Sequence, residues 1–282
     1  MKHRNGSFTS APIGRTMIST AISMLPGTLA ISGYNIADTY FVGQLHNTVA
    51  LAAMGYTFPV IMIIGCIFRG LATGIMATAA QALGGAKHGK AAKLITSGLC
   101  LTLVLSIICG LLGAHYIDWT FHQFGAQDNV MPYIRSYMVI WYWGVCTAAL
   151  TMSCNDILMA AGSTKIASGM MVAGMLINVI LDPIFIFGFG LGIEGAAIAT
   201  ALSMCISSVL VIRHFRSPSN ILKLQSKCFS PRFPILVSIV GIGMAAFIMN
   251  ITTGMVNIIM NRYLENNGGD YAIGAFGIIS SY

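Results

Sequence analysis

A polytopic, all-α bundle of membrane-spanning helices is the fold class this sequence predicts, and three observations predict it. Of the 282 residues, 56% are hydrophobic and only 8% are charged, whereas an ordinary soluble domain carries about a quarter charged residues. The apolar residues come in long runs, and about 20 of them suffice to cross a hydrocarbon core. The Lys and Arg residues fall in short segments between alternate runs instead of forming one patch, which is the distribution that orients a membrane protein. The net charge of +7 therefore does not point to a nucleic-acid partner.

By length and apolarity, helices are predicted near 16–43, 49–82, 90–114, 129–160, 166–187, 195–213 and 234–262, with an eighth beginning near 271. Runs longer than the minimum are expected to tilt or protrude into water. The first apolar run shows no small-residue cleavage pattern and is expected to be retained, not removed as a signal peptide.

The loops set the orientation. Twelve of the fifteen basic residues flank the same ends of the runs: Lys2, Arg4 and Arg15; Lys87, Lys90 and Lys93; Lys165; and Arg213, Arg216, Lys223, Lys227 and Arg232. The alternate loops carry Asp118, Asp128, Glu194, Glu265 and Asp270, with Arg262 the basic exception. Positive charge marks the cytoplasmic side, so residues 1–15 are expected to be a cytoplasmic N-terminus. Residues 16–213 form a six-helix N-terminal lobe. Residues 214–233, polar and proline-containing, read as a cytoplasmic linker. Residues 234–282 read as the start of a second, truncated lobe. DTYFVGQL at 38–45 faintly matches NIIMNRYL at 257–264, and LAAMG at 51–55 matches IGAFG at 273–277. Repeats of this kind build many transporters, so the sequence is expected to be a fragment of a chain with a second six-helix unit.

Chemistry enters through polar residues inside apolar runs. In the hairpin MLINVILDPIFIFGFGLGIEGAAIATALS, at 175–203, Asp182 lies six residues before Gly188 and Thr200 six after Glu194. Asp38 lies five residues before Gly43. At 1.5 Å per residue each is roughly 8 Å below the outer end of its helix. Tyr137 falls near the same level in the fourth helix, and Asn178 shares the Asp182 face one turn deeper. A carboxylate at membrane depth costs roughly 3 kcal/mol on insertion scales. One such residue is explained by a capping neighbour, but two at matched depth favour a site. Carboxylate, amide and hydroxyl oxygens suit a hard cation or a proton. Taken singly, Asn178 and Thr200 read as helix-packing residues and Tyr137 as an interfacial aromatic.

Pro26 sits mid-helix, removes a backbone donor and is read as a hinge or a static bend. Arg69 lies inside the second run and requires a partner or water. Asp156, near the cytoplasmic end of the fourth helix, is read as solvated. Gly190, Gly192 and Gly195 satisfy GxGxxG letter for letter. A dinucleotide fold also needs a βαβ unit and an acid about 20 residues on, where this chain has Arg213-His-Phe-Arg216. The glycines are read as a tight corner with close helix contact. No HExxH, GxSxG or Walker-type loop occurs, and the seven cysteines lack CxxC spacing, so neither a zinc site nor a disulfide framework is indicated.

LPGTLAISGYNIADTYFVGQL, AAQALGGAK, AAGSTKIA and NVILDPIFIFGFGLGIEGAAIAT resemble, in order and spacing, the bacterial members of the multidrug and toxic compound extrusion (MATE) family that keep an ion site in the N-terminal lobe. The resemblance implies twelve helices in two lobes around a central cavity. It implies a cation-coupled antiporter, driven by Na⁺ or H⁺, that exports cationic or amphipathic drugs across a bacterial inner membrane, with no cofactor beyond the coupling ion. Its partners would be membrane lipid, small-molecule substrates and the C-terminal lobe that transport requires. Carried over, Asp38 and Asp182 would be the ion-coupling carboxylates, supported by Asn178, Thr200 and Tyr137. Na⁺ would sit at Asp38, Asn178 and Asp182, and Asn155 is a further amide near the expected position. A flippase for lipid-linked precursors, from the same superfamily, is the alternative; it calls for a cavity lined by Arg and Lys. An intramembrane prenyltransferase-like enzyme is a third reading; it calls for clustered acidic motifs near the cytoplasmic face.

Overall fold

The computed structural model describes residues 13–45, 48–85, 87–216 and 233–280. The expectations for residues 1–12 and for most of the linker, 217–232, lie outside these. The described residues form helices α1 (Ile13–Gly43), α2 (Thr48–Gly84), α3 (His88–His115), α4 (Ile117–Gln123), α5 (Met131–Ala160), α6 (Thr164–Pro183), α7 (Gly192–Arg216) and α8 (Phe233–Ser280). A one-turn π-helix, Ile184–Gly188, prolongs α6. Among the described residues, six of these helical segments are long and apolar enough to cross a membrane.

The expected runs are recovered to within three residues at most ends, with two differences. The short α4 was not anticipated, because its seven residues, IDWTFHQ, follow α3 after one residue and mix polar with apolar side chains. It buries Ile117 and Phe121 and lies across the end of the bundle. Asp118 on α4 accepts a 2.6 Å hydrogen bond from Arg135 on α5. That guanidinium holds the Asp118 carboxyl below its ordinary range.

The second difference is in α8. The break expected between helices near 263–270 is absent, and the backbone stays helical over 48 residues. That is about 72 Å of helix, more than twice the hydrocarbon thickness. A helix satisfies its own backbone, so a reversal must be rewarded by packing of the returning segment.

The long helices alternate in direction, with the short α4 apart from the alternation, so that the C-terminal ends of α2, α5 and α7 cluster together. α2 packs on α3, α5 and α8; α5 also packs on α3 and α7; α1 packs on α6, and α6 on α7. The core is layered along the bundle. Toward the Gly84 and Ala160 ends, Ile75, Leu94, Ile157, Leu158, Val211 and Phe215 cluster. Phe68, Val145 and Ala149 occupy the middle. Toward the Gly43 and Gly188 ends, Phe121, Ile134, Met138, Tyr142 and Ile193 cluster. Lipid tails are as apolar as these side chains, so close packing and interhelical hydrogen bonds must hold the helices together. Hydroxyls supply some of these bonds: Thr102 meets Ser153 at 3.4 Å, linking α3 to α5. Thr151 meets Ser208 at 2.9 Å, linking α5 to α7.

The closest approach is the crossing of α2 and α8. Gly70 and Gly74, spaced as GxxxG, face Gly243, and a Cβ on Gly243 would lie 2.5 Å from the Gly70 carbonyl oxygen. A Cβ on Gly74 would meet the Ile239 carbonyl oxygen and stand 3.1 Å from the Gly243 Cα. Both obstacles are backbone, which cannot rotate away.

Gly74→Ala is expected to push α8 off α2, at a cost of roughly 1–3 kcal/mol typical of overpacking. Gly241→Ala, where a Cβ meets nothing within 4 Å, should change stability by no more than about 0.5 kcal/mol. Thermal unfolding of the two variants in the same detergent checks the contrast.

Candidate functional site

The site is built around the junction of α6 with the π-helix. Pro183 has no N–H to donate, so the α-helical ladder is interrupted there, and the chain widens into the π-turn Ile184–Gly188. Such single-turn widenings gather at functional positions. The corner that follows is closed by the GxGxxG string. Gly190 and Gly192 adopt positive φ of 67° and 56°, a region that favours glycine. Gly195 lies against the π-turn, where a Cβ would stand 2.6 Å from the Phe185 carbonyl oxygen. The glycines thus form the tight corner and close helix contact read from the sequence.

Immediately below this corner, Asp182 and Asn178 are 0% exposed. The Asn178 Nδ2 donates to the Asp182 Oδ1 at 3.2 Å, as their i, i+4 spacing allows. Asp38, on the adjacent α1, is half-buried and close enough for its charge to act on the Asp182 carboxyl. Among the described residues, three buried side-chain oxygens here have no hydrogen-bond partner, Asp38 Oδ1, Asp182 Oδ2 and Asn178 Oδ1, and a further one, Asn155 Oδ1, lies toward the Ala160 end of α5. Unsatisfied buried acceptors are costly and call for an explanation such as an ion or a proton. The three beside Asp182 are all acceptors, so the complement they lack is a cation or a donor. No group of three His, Cys, Asp or Glu placed to hold a metal ion occurs among the described residues; the carboxylate and amide oxygens present are the ligand type a hard cation takes.

The remaining sequence-predicted residues divide. Asn155, on α5, is 4% exposed. Tyr137 is buried at 5% in the apolar cluster with Ile134, Met138 and Ile193. Thr200 is buried at 8% and lines a cavity of about 210 Å³ between α2, α5 and α7. Pro26 is exposed, and α1 runs through it as one helix.

Two features escaped the sequence reading. The first is that cavity, walled by Phe68, Trp141, Ala148, Met152 and Ala201 among others; its residues look like ordinary bundle packing when read along the chain. The second concerns Arg69 and Asp156. Asp156, read as solvated, is half-buried, because α2 packs over this part of α5. Arg69, which lacked a partner in the sequence, acts electrostatically on Asp156.

Comparison with known proteins fits this geometry. The MatE family model matches residues 24–184. The chain is 37% identical over 223 residues, 76% of its length, to the FAD transporter of Shewanella oneidensis. It is 27% identical over 271 residues to the multidrug export protein MepA of Staphylococcus aureus. It spans 49% of the first relative's length and 60% of the second's. A MATE crystal structure in complex with MaD3S superposes with a TM-score of 0.91 at 26% identity, covering 98% of this chain and 62% of that one. These relatives are transporters and not enzymes, so the intramembrane-enzyme reading falls away. The chain is a multi-pass membrane protein belonging to the MatE family of efflux transporters.

Proposed function

We propose that the chain is the ion-coupling half of an antiporter that exports amphipathic organic compounds in exchange for Na⁺ or H⁺. The observation that carries this reading is the pair of carboxyls on α1 and α6, with unsatisfied oxygens and an amide beside them. With both carboxyls ionised, the charges repel in a medium of low dielectric. One proton or one Na⁺ removes the repulsion and satisfies the orphaned oxygens. The ion therefore binds most tightly to whichever packing of α1 against α6 brings the carboxyls together, and differential affinity of this kind shifts the balance between conformations. Asn178 orients Asp182, and Thr200 and Tyr137 complete the surroundings, while Asn155 lies deeper, toward the Ala160 end of α5; a bend at Pro26 would let α1 move.

The loop charges support an orientation with the carboxyls toward the outside of a bacterial inner membrane and the N-terminus in the cytoplasm. Ions entering down their gradient reach the site from that side. Export needs both lobes, since alternating access moves one against the other. Cationic or amphipathic drugs are the cargo suggested by the likeness to MepA, and a dinucleotide is the cargo suggested by the likeness to the FAD transporter.

In proteoliposomes carrying the full two-lobe protein, an imposed inward Na⁺ or H⁺ gradient should drive export of ethidium or a flavin. Asp38→Asn and Asp182→Asn should each lower that rate at least tenfold. Wild-type rates in both variants would overturn the site. Where the ion is Na⁺, replacing choline chloride by NaCl should raise the thermal midpoint. Saturation at 100 times the dissociation constant is worth about 2.7 kcal/mol, and Asp182→Asn should abolish the shift.

A further inference from the structure

Resting on the transporter reading above, we propose that Arg69 is a specificity-determining residue that recognises an anionic group, phosphate or carboxylate, on an aromatic substrate seated in the cavity between α2, α5 and α7.

Register places the charge at the cavity. Gly65 lines it from α2 and Met152 from α5. Arg69 is i+4 from Gly65 and Asp156 is i+4 from Met152, so each continues the lining face of its helix by one turn. Both helices run the same way here, toward the Gly84 and Ala160 ends. Neither side chain lines the cavity itself; by register both stand one turn past its last lining residues, at the end away from the Asp38–Asp182 pair. Arg69 is exposed, and the ion pair found among the described residues is Arg135 with Asp118. A guanidinium within an apolar span is expensive and belongs on a water-filled path. Arg69 acts electrostatically on Asp156, but no hydrogen-bonded bridge joins them among the described residues, so the donors of Arg69 remain available. A planar guanidinium matches phosphate and carboxylate in a bidentate manner.

The cavity supplies the other half of the recognition. Its walls are apolar, with Phe68 and Trp141 as aromatic surfaces and the Thr200 hydroxyl as a polar point. A volume of about 210 Å³ exceeds the roughly 150 Å³ that admits benzene and falls short of the roughly 300 Å³ minimum for a drug-sized ligand. It therefore holds one ring system, with the rest of a larger molecule outside. A ring against Trp141 and an anion at Arg69 describe an aromatic phosphate or carboxylate better than a bare organic cation, which Arg69 repels.

Riboflavin and FMN share one ring system and differ by a phosphate, so they isolate the anion. In lipid nanodiscs, fluorescence anisotropy should show FMN binding at least tenfold more tightly than riboflavin. Arg69→Gln should remove that preference and leave riboflavin affinity unchanged, while Arg69→Lys should keep part of it. Asp156→Asn, which frees Arg69 of its counter-charge, should tighten FMN binding severalfold, and this gain decides the matter if Arg69→Gln fails to fold. Equal affinity for the two flavins, equal weakening of both by Arg69→Gln, or no gain in Asp156→Asn overturns the proposal. Ion coupling is tested independently. Gradient-driven ethidium export that depends on Asp38, without FMN preference, would reject Arg69 alone; FMN preference without gradient dependence would reject the coupling alone.

Discussion

Like charge held close in a dry place is the constraint on which this lobe turns. Asp38 and Asp182 belong to different helices, and the packing of α1 on α6 brings them within electrostatic reach of one another. A pair of buried carboxylates cannot both stay ionised without compensation. The surroundings supply one amide donor, from Asn178, and leave several oxygens open. Under the proposed function, one positive charge would satisfy these oxygens and, by relieving the repulsion, would favour the packing that holds α1 and α6 together.

The corner above the pair explains how it is held. Pro183 ends the regular ladder, the π-turn re-aims the chain, and two glycines at positive φ start α7. Gly195 then lets α7 rest on the π-turn backbone. A string that matches a cofactor fingerprint on paper therefore serves to fix the end of α6, one residue beyond Asp182. The same letters serve different chemistry because a dinucleotide loop needs a strand before it and this one follows a helix.

Much of this was legible in the sequence, for physical reasons. Apolar length gives the spans because hydrocarbon demands it. The shared depth of Asp38 and Asp182 follows from counting residues to helix ends marked by Gly43 and Gly188, and the structure brings that pair together. Asn178 was legible from i, i+4 spacing. The cavity was not, since it arises where three helices separated in sequence by dozens of residues fail to fill the space between them. Arg69 and Asp156 were each visible as charges, but their proximity depends on the rotation of α2 against α5, which no local pattern encodes. The π-turn was hidden because Pro183 signals a break without saying what form it takes. The uninterrupted α8 differed from expectation because polar residues such as Asn266 and Asp270 permit a turn without enforcing one.

The glycine crossing of α2 and α8 carries a consequence for how a signal would spread. α2 presents Gly70 and Gly74 to α8 on one side and Gly65, with Arg69 a turn further, to the cavity on another. Backbone in contact with backbone is stiff, since no side chain lies between to yield. A displacement of α8 would therefore bear directly on the helix that walls the cavity, so sliding at that seam would be a means for α8 to alter the shape of the chamber.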